Sequence, residues 1–79
     1  MFHVYVLRSL KDGKRYIGFT SNIERRLLEH HSGDVSSTKN RRPLELIYSE
    51  DFSNKQEAEE REKFFKSGQG RAELKRMSL

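Results

Sequence analysis

The hydrophobic residues at the start of the chain alternate along the sequence with a period of two, which is typical of a β-strand. Residues 2–7 form this segment, and its two faces carry Phe2, Val4 and Val6 on one side and His3, Tyr5 and Leu7 on the other. Asp12-Gly13 predicts a tight turn. Residues 16–19 predict a second strand, so the first two strands should pair as a hairpin.

The apolar residues that follow are spaced by four, which indicates a helix instead of a strand. Ile23 and Leu27 share one helical face. Ser21 and Glu24 predict a capping box at the start of this helix. Gly33 predicts its end, because glycine readily adopts the left-handed conformation that follows a last helical turn.

This helical phase places a guanidinium and an imidazole beside the apolar stripe. Arg26 and His30 lie four residues apart on its flank, whereas Arg25 and Glu29 face solvent. Partial burial of two polar side chains costs desolvation free energy. We therefore expect chemistry at the seam where this helix meets the sheet.

The second half of the chain predicts one more strand and two more helices. After a polar loop over 34–42, residues 44–48 predict a strand with Leu44, Leu46 and Tyr48 on one face. Ser53, with Gln56 in the reciprocal position, predicts the cap of a helix that runs to about residue 67. Gly68 and Gly70 predict breaks before a short helix over 71–78. The predicted fold is α+β, a mostly antiparallel three-stranded sheet flanked by helices in the order β-β-α-β-α-α, as one domain over residues 1–79.

One carboxylate of the second helix falls on its apolar stripe. Glu62 lies four residues after Ala58 and three before Phe65. A carboxylate in such a place requires a cation, a metal ion or several hydrogen-bond donors. An ion pair with Arg61, Lys66 or Arg26 would satisfy it without any function, so the helical phase leaves a structural and a functional role open.

Composition narrows the class of protein. Of 79 residues, 33% are hydrophobic and 35% are charged, and there is no cysteine, so neither disulfides nor a thiolate zinc site can support the small core. The lack of disulfides fits a cytoplasmic protein, and no apolar run has the length of a signal peptide or a membrane span. The net charge of +4 favours a polyanionic partner, most often nucleic acid, over a merely soluble lysine-rich surface.

Taken in order, these residues resemble the GIY-YIG nuclease family over nearly the whole chain. Tyr16-Ile17-Gly18 matches the second half of the motif, and His3-Val4-Tyr5 keeps the tyrosine of the first half. Arg26 and His30 match the family's helix motif, and Glu62 falls on its glutamate. The chain looks most similar to small stand-alone bacterial members that resemble the N-terminal domain of the excinuclease C subunit. It departs from the family in having no asparagine after Asn54, where many members carry an active-site asparagine.

The resemblance implies a metal-dependent endonuclease that hydrolyses phosphodiester bonds in DNA, including structure-selective cleavage, in DNA repair or processing. It implies that Glu62 holds Mg²⁺ or Mn²⁺, that Arg26 clamps the phosphate and that Tyr5 takes the proton of the attacking water. Tyr16 would orient the water or a phosphate oxygen, and His30 would position Tyr5 or relay its proton.

Binding of the polyanion is expected to involve a second set of residues. Lys39, Arg41 and Arg42 lie in the basic loop and Arg25 on the first helix, and these cations should contact phosphates rather than bases. The expected partner is DNA rather than RNA, and the expected oligomeric state is a monomer or a weak dimer. No membrane association is expected. The alternatives are a non-catalytic nucleic-acid-binding module that keeps the nuclease fold, and a small protein-interaction domain whose charge only gives solubility.

Overall fold

The computed structural model describes all 79 residues and contains three strands and three helices in the predicted order. The strands pair antiparallel throughout, in the spatial order β2-β1-β3. No helix combines the length and the apolar character needed to cross a membrane. The elements are β1 (Phe2–Ser9), β2 (Arg15–Thr20), α1 (Ile23–Ser32), a single 3₁₀ turn (Lys39–Arg41), β3 (Leu44–Phe52), α2 (Lys55–Lys66) and α3 (Gly68–Arg76).

Both faces of the central strand β1 are buried, and each face has its own hydrophobic cluster. Val4 and Val6 pack with Ala58 and Phe65 of α2 and with Leu74 of α3. On the opposite face the cluster is formed by Tyr5, Leu7 and Leu44, covered by Tyr16, Ile23 and Leu27. The alternation of β1 is therefore confirmed, and α1 covers one face of the sheet while α2 and α3 cover the other.

The prediction for the faces of β3 was wrong, because a register shift interrupts the pairing of β1 with β3. Val6 pairs with Tyr48, but the next residue, Leu7, pairs with Leu46, so Ile47 is an extra residue. An extra residue moves the side chains that follow it to the other face. Leu44 consequently packs beside Tyr5, Tyr48 packs on the α2 side, and Leu46 is 40% exposed.

Both predicted helix caps are one residue too early. Asn22, not Ser21, caps α1, and its side-chain oxygen accepts from the Arg25 N–H at 3.1 Å. The Thr20 hydroxyl accepts from the Asn22 N–H, so the N–H of the cap residue binds a threonine and not a glutamate of the first helical turn. Serine and asparagine are equally good N-caps, so sequence alone could not separate neighbouring candidates.

The second helix repeats this shift, and the third helix starts earlier than predicted. Asn54, not Ser53, caps α2 and accepts from the Glu57 N–H at 3.2 Å. Gly70 does not break the chain but lies buried inside α3. A Cβ atom there would overlap the Phe64 carbonyl, so this glycine allows the end of α2 to lie against the start of α3.

Candidate active site

A buried chain of hydrogen bonds connects β1, α1 and the following loop. The Tyr5 hydroxyl lies 2.8 Å from Nε2 of His30, and Nδ1 of His30 lies 2.8 Å from the hydroxyl of Thr38. The Thr38 hydroxyl also lies 3.5 Å from the Val35 carbonyl. Tyr5 is 1% exposed, and His30 and Thr38 are fully buried.

One arrangement of donors and acceptors gives every member of this chain a partner. When the Tyr5 O–H donates to Nε2 of His30, Nδ1 carries the imidazole proton. Nδ1–H then donates to the Thr38 hydroxyl, which in turn donates to the Val35 carbonyl. Every member has a partner, which is what burial requires.

Tyr16 adds a third ring to the pair formed by Tyr5 and His30. The Tyr16 ring centroid lies 5.2 Å from that of His30 and 6.5 Å from that of Tyr5, and the Tyr5 and His30 centroids are 5.6 Å apart. Gly18 faces Tyr5 across the strand pair, and a Cβ there would overlap the phenol ring. Gly18 therefore makes room for the Tyr5 ring.

Arg26 reaches the edge of this ring cluster from one helical turn before His30. One guanidinium nitrogen donates to the Glu29 carboxylate at 3.0 Å, and the side chain stays 36% exposed. The guanidinium also lies near enough to Tyr5 to oppose the rise of its pKa. An arginine held on one side by a carboxylate keeps further N–H groups free for an anion.

Burial decides the protonation states of the two central groups. It raises the pKa of Tyr5 to about 12, with smaller contributions from Tyr16 and Glu62, although Arg26 acts in the opposite direction. Burial, followed by the positive charges of Arg26 and His31, lowers the pKa of His30 to about 4. At neutral pH the pair therefore consists of a protonated phenol and a neutral imidazole.

Glu62 lies apart from the ring cluster. Its helix packs against the Val4 side of the sheet, and its carboxylate lines a shallow groove with Phe19 and Lys63. The side chain is 24% exposed and pairs with Lys66 at 3.3 Å. The negative charge of Glu62 nevertheless contributes to the raised pKa of Tyr5, so the carboxylate acts electrostatically on the phenol past the edge strand β2.

The donors near Glu62 fit only a metal ion that keeps most of its own water. No group of three or more histidine, aspartate or glutamate side chains is arranged to hold a metal ion. Mg²⁺ is commonly bound through one or two carboxylates, with waters and phosphate oxygens as the other ligands. Glu62, a single carboxylate that is 24% exposed in an open groove, matches that donor set.

The expected phosphate-binding residues have different surroundings. Arg41 donates to the Arg15 carbonyl at 3.2 Å and pairs with Asp12 at 3.4 Å, so it ties the loop to the hairpin. Arg42 donates to the carbonyls of Lys39 and His31. Lys39 and Arg25 are exposed and have no ion pair. Two of the four cations, Arg41 and Arg42, thus already bind groups within the protein.

Sequence reasoning did not assign a role to Thr38. It lies eight residues after His30, in a polar loop whose composition gives no sign of burial. Thr38 is recognised only by its contact with His30, because a buried histidine needs a partner for each ring nitrogen. Only the folded loop identifies that partner.

Comparison with known proteins is consistent with this geometry. Residues 1–75 match the family model described as the GIY-YIG catalytic domain. A UPF0213 protein of Staphylococcus saprophyticus is 38% identical over 77 residues, which cover 96% of this chain and 93% of that protein. A UPF0213 protein of Halobacterium salinarum is 43% identical over 63 residues, which cover 78% of this chain and 80% of that protein.

A solved structure agrees with the fold as well. The solution NMR structure of a UPF0213 protein from Bacillus halodurans aligns with a TM-score of 0.59 and 33% identity, covering 98% of this chain and 85% of that one. The match of the family model to nearly the whole chain, with relatives of similar length, leaves one assignment: the chain belongs to the GIY-YIG family of nuclease domains, among the small UPF0213 proteins.

Proposed function

We propose that this protein is a metal-dependent endonuclease that hydrolyses phosphodiester bonds in DNA and acts in DNA repair or processing in the cytoplasm. The observation that carries the proposal is the contact of Tyr5, Tyr16 and His30 beside Arg26, within a chain of the GIY-YIG family. Phosphodiester hydrolysis requires a base for the water, a cation for the phosphate and help for the leaving oxygen. Each requirement has a candidate residue.

Tyr5 and His30 act together as the base in this proposal. A phenol with a pKa of about 12 is a poor base alone, because it is protonated at neutral pH. Its O–H already donates to Nε2 of His30 at 2.8 Å, so it can pass that proton inward as its oxygen accepts one from water. Thr38 keeps the imidazole in the tautomer that this transfer needs.

Arg26 and Tyr16 bind the phosphate in this proposal. The free N–H groups of Arg26 would donate to two phosphate oxygens, the geometry that a guanidinium fork favours. Tyr16 would orient the water or a phosphate oxygen with its hydroxyl, since its ring contacts His30. The exposed Arg25 and Lys39 would contact neighbouring phosphates, together with Arg41 and Arg42 where their carbonyl contacts permit.

Glu62 would hold the metal ion. A bound Mg²⁺ or Mn²⁺ supplies charge neutralisation on the phosphate and stabilises the leaving oxygen. The competing structural role is weak here, because the pair of Glu62 with Lys66 is half-exposed, with 24% and 56% of the side chains accessible. Such surface pairs contribute about 0–1 kcal/mol to stability, far less than a buried pair.

The experiment is nicking of a supercoiled plasmid in Mg²⁺ or Mn²⁺, with chelator as the blank, by the wild type, Glu62→Gln and Glu59→Gln. Glutamine keeps the shape of Glu62 but is a poor Mg²⁺ ligand, so cleavage should be lost. The urea midpoint and DNA affinity should change little. Glu59→Gln is the matched control, because Glu59 lies in the same groove and has an exposed partner, Lys55, at 3.8 Å.

Three results would contradict the proposal in different ways. A collapsed urea midpoint in Glu62→Gln would make Glu62 structural. Equal cleavage by Glu62→Gln and the wild type would remove it from the site. A wild type that binds DNA tightly but never cleaves it with either metal would favour the non-catalytic binding module, and affinity that does not depend on salt would favour the protein-interaction domain.

A further inference from the structure

A second region of the surface is lined by cations that the proposed catalytic site does not use. It is a cavity of about 560 Å³ between the β1–β2 hairpin and the α2–α3 corner. Half of its ten lining residues are basic and none is acidic. We call it the basic groove, and its cations are Arg8, Lys14, Arg15, Lys66 and Arg71.

Two of these cations face each other at a cost to stability. Arg8 and Arg15 are direct partners in the pairing of β1 with β2. Like charges directly opposite on a strand pair repel each other and destabilise the sheet. Arg15 donates to the main-chain oxygen of Leu79 at 3.0 Å, whereas the Arg8 guanidinium has no hydrogen bond or ion pair. On its other side Arg8 faces Glu45 of β3, an opposite charge, but the two side chains form no ion pair.

A third cation lies at an unfavourable end of a helix. Arg71 is the fourth residue of α3, which has no acidic residue in its first turn. The amino end of a helix carries partial positive charge and disfavours a cation. Lys66 differs, because it lies in the last turn of α2 and pairs with Glu62. Arg8 and Arg71 are therefore the two arginines of the groove whose guanidinium groups have neither a hydrogen bond nor an ion pair.

The groove also contacts the proposed catalytic site. Tyr16 lines the groove and has its ring 5.2 Å from that of His30. Ile17, Phe65 and Leu74 give the groove an apolar floor beneath the cations. Cations above an apolar floor suit a ligand that carries phosphates and also presents sugar or base surface.

We propose that the basic groove is a second phosphate-binding site, which holds the backbone of a DNA strand at positions beyond the scissile phosphate. This inference rests on the proposed function in one respect, namely that the bound strand is the substrate of the nuclease. Arg8 and Arg71 each bind a phosphate with a guanidinium, and Tyr16 marks where the strand enters the catalytic site. The cost of the unpaired cations is compensated when DNA supplies the missing negative charge.

The test compares three groove variants, Arg8→Gln, Arg71→Gln and the double variant that carries both changes. Lys75→Gln is the control. Lys75 lies on α3 outside the groove, is exposed and has no ion pair, so its variant has the same change of net charge. Binding of a fluorescent DNA duplex is measured by anisotropy over a range of salt, in chelator, so that no cleavage is needed. Urea midpoints are measured for the same proteins.

Each groove variant should weaken binding by about five- to ten-fold at ~0.1 M salt, and the double variant should lower the salt slope by about two. The urea midpoints should change little, because Arg8 lies between a like charge, Arg15, and an opposite charge, Glu45, and Arg71 lies near the amino end of α3. Lys75→Gln should change binding much less than either. Weak binding with an intact midpoint would thus reflect lost phosphate contacts.

Two results would overturn the inference. One is affinity and salt slope in the groove variants equal to those of Lys75→Gln. The other is an equal loss of affinity for poly-glutamate, which would make the groove a site for any polyanion. Failure of the nuclease proposal is separate, because a wild type that never cleaves can still lose DNA affinity in the groove variants.

Discussion

Tyr5 and Tyr48 sit on neighbouring strands, and both form hydrogen bonds within polar networks, but their partners differ in charge. The Tyr5 hydroxyl lies 2.8 Å from a neutral imidazole and is buried. The Tyr48 hydroxyl lies 2.5 Å from the carboxylate of Glu50, which Arg61 binds through two nitrogens at 2.7 and 3.1 Å. A neutral acceptor can take the phenolic proton, whereas a carboxylate that is already bound by arginine mainly holds it in place.

The pKa values of the two phenols have different causes. The hydrogen bond to Glu50 is the first cause that raises the pKa of Tyr48, whereas burial is the first cause for Tyr5. The Tyr48 network also joins β3 to α2, and the Arg61 guanidinium lies 4.3 Å from the centroid of the Phe65 ring. The comparison separates a tyrosine held by a charged network that links β3 to α2 from one held by a neutral imidazole.

The largest expected difference is in cleavage. Tyr5→Phe should reduce plasmid nicking by about 10²–10⁴-fold, the usual contribution of a general base. Tyr48→Phe, its matched control, should cleave like the wild type. Equal rates for the two variants would remove the distinction between the networks.

For stability, in contrast to cleavage, the larger loss is expected when the Tyr48 network is broken. Glu50→Ala removes both charged hydrogen bonds to Arg61 and should lower the free energy of unfolding by about 2 kcal/mol, since the pair is partly exposed. Glu45→Ala, at an exposed position of β3 opposite Arg8 but without an ion pair, should change it by less, roughly 0.5 kcal/mol. Urea melts measure both values. A normal midpoint for Glu50→Ala would mean that the Tyr48 network is not structural.

The third difference is in the pH dependence of stability. Because the pKa of His30 is lowered from 6.5 to about 4, its contribution is complete above pH 6.5 and is lost as the pH falls towards 4. Burial alone would raise the pKa of Glu50, but Arg61 and Tyr48 lower it below 4.5, so its contribution is lost only in stronger acid. Urea midpoints between pH 7 and 4.5 should therefore fall more in the wild type than in His30→Gln.

Glu50→Gln separates the two networks further. Above pH 4.5 it should show the same pH dependence as the wild type, because the group that titrates there, His30, is still present. Identical profiles for the wild type and His30→Gln would show that the imidazole is not held neutral by burial. That result would also weaken the role of His30 as proton acceptor.

Local patterns in the sequence predicted most of the fold. The period of two in β1 put Tyr5 and Leu7 on one face and Val4 and Val6 on the other, and both hydrophobic clusters confirm it. The spacing of Ile23 and Leu27 placed His30 at the seam between α1 and the sheet, where it is buried. These features follow from backbone periodicity, which a short window of sequence contains.

The tertiary structure decided what depends on distant pairing. The extra residue at Ile47 separates Leu44 from Tyr48, and no residue near it in the sequence predicts the shift. Thr38 meets His30 only when the loop closes, and α2, which carries Glu62, packs on the opposite face of the sheet from Tyr5. The basic groove joins Arg8 of β1 to Arg71 of α3, more than sixty residues later in the sequence. Sequence periodicity describes each element by itself, whereas register and loop closure set the distances between elements.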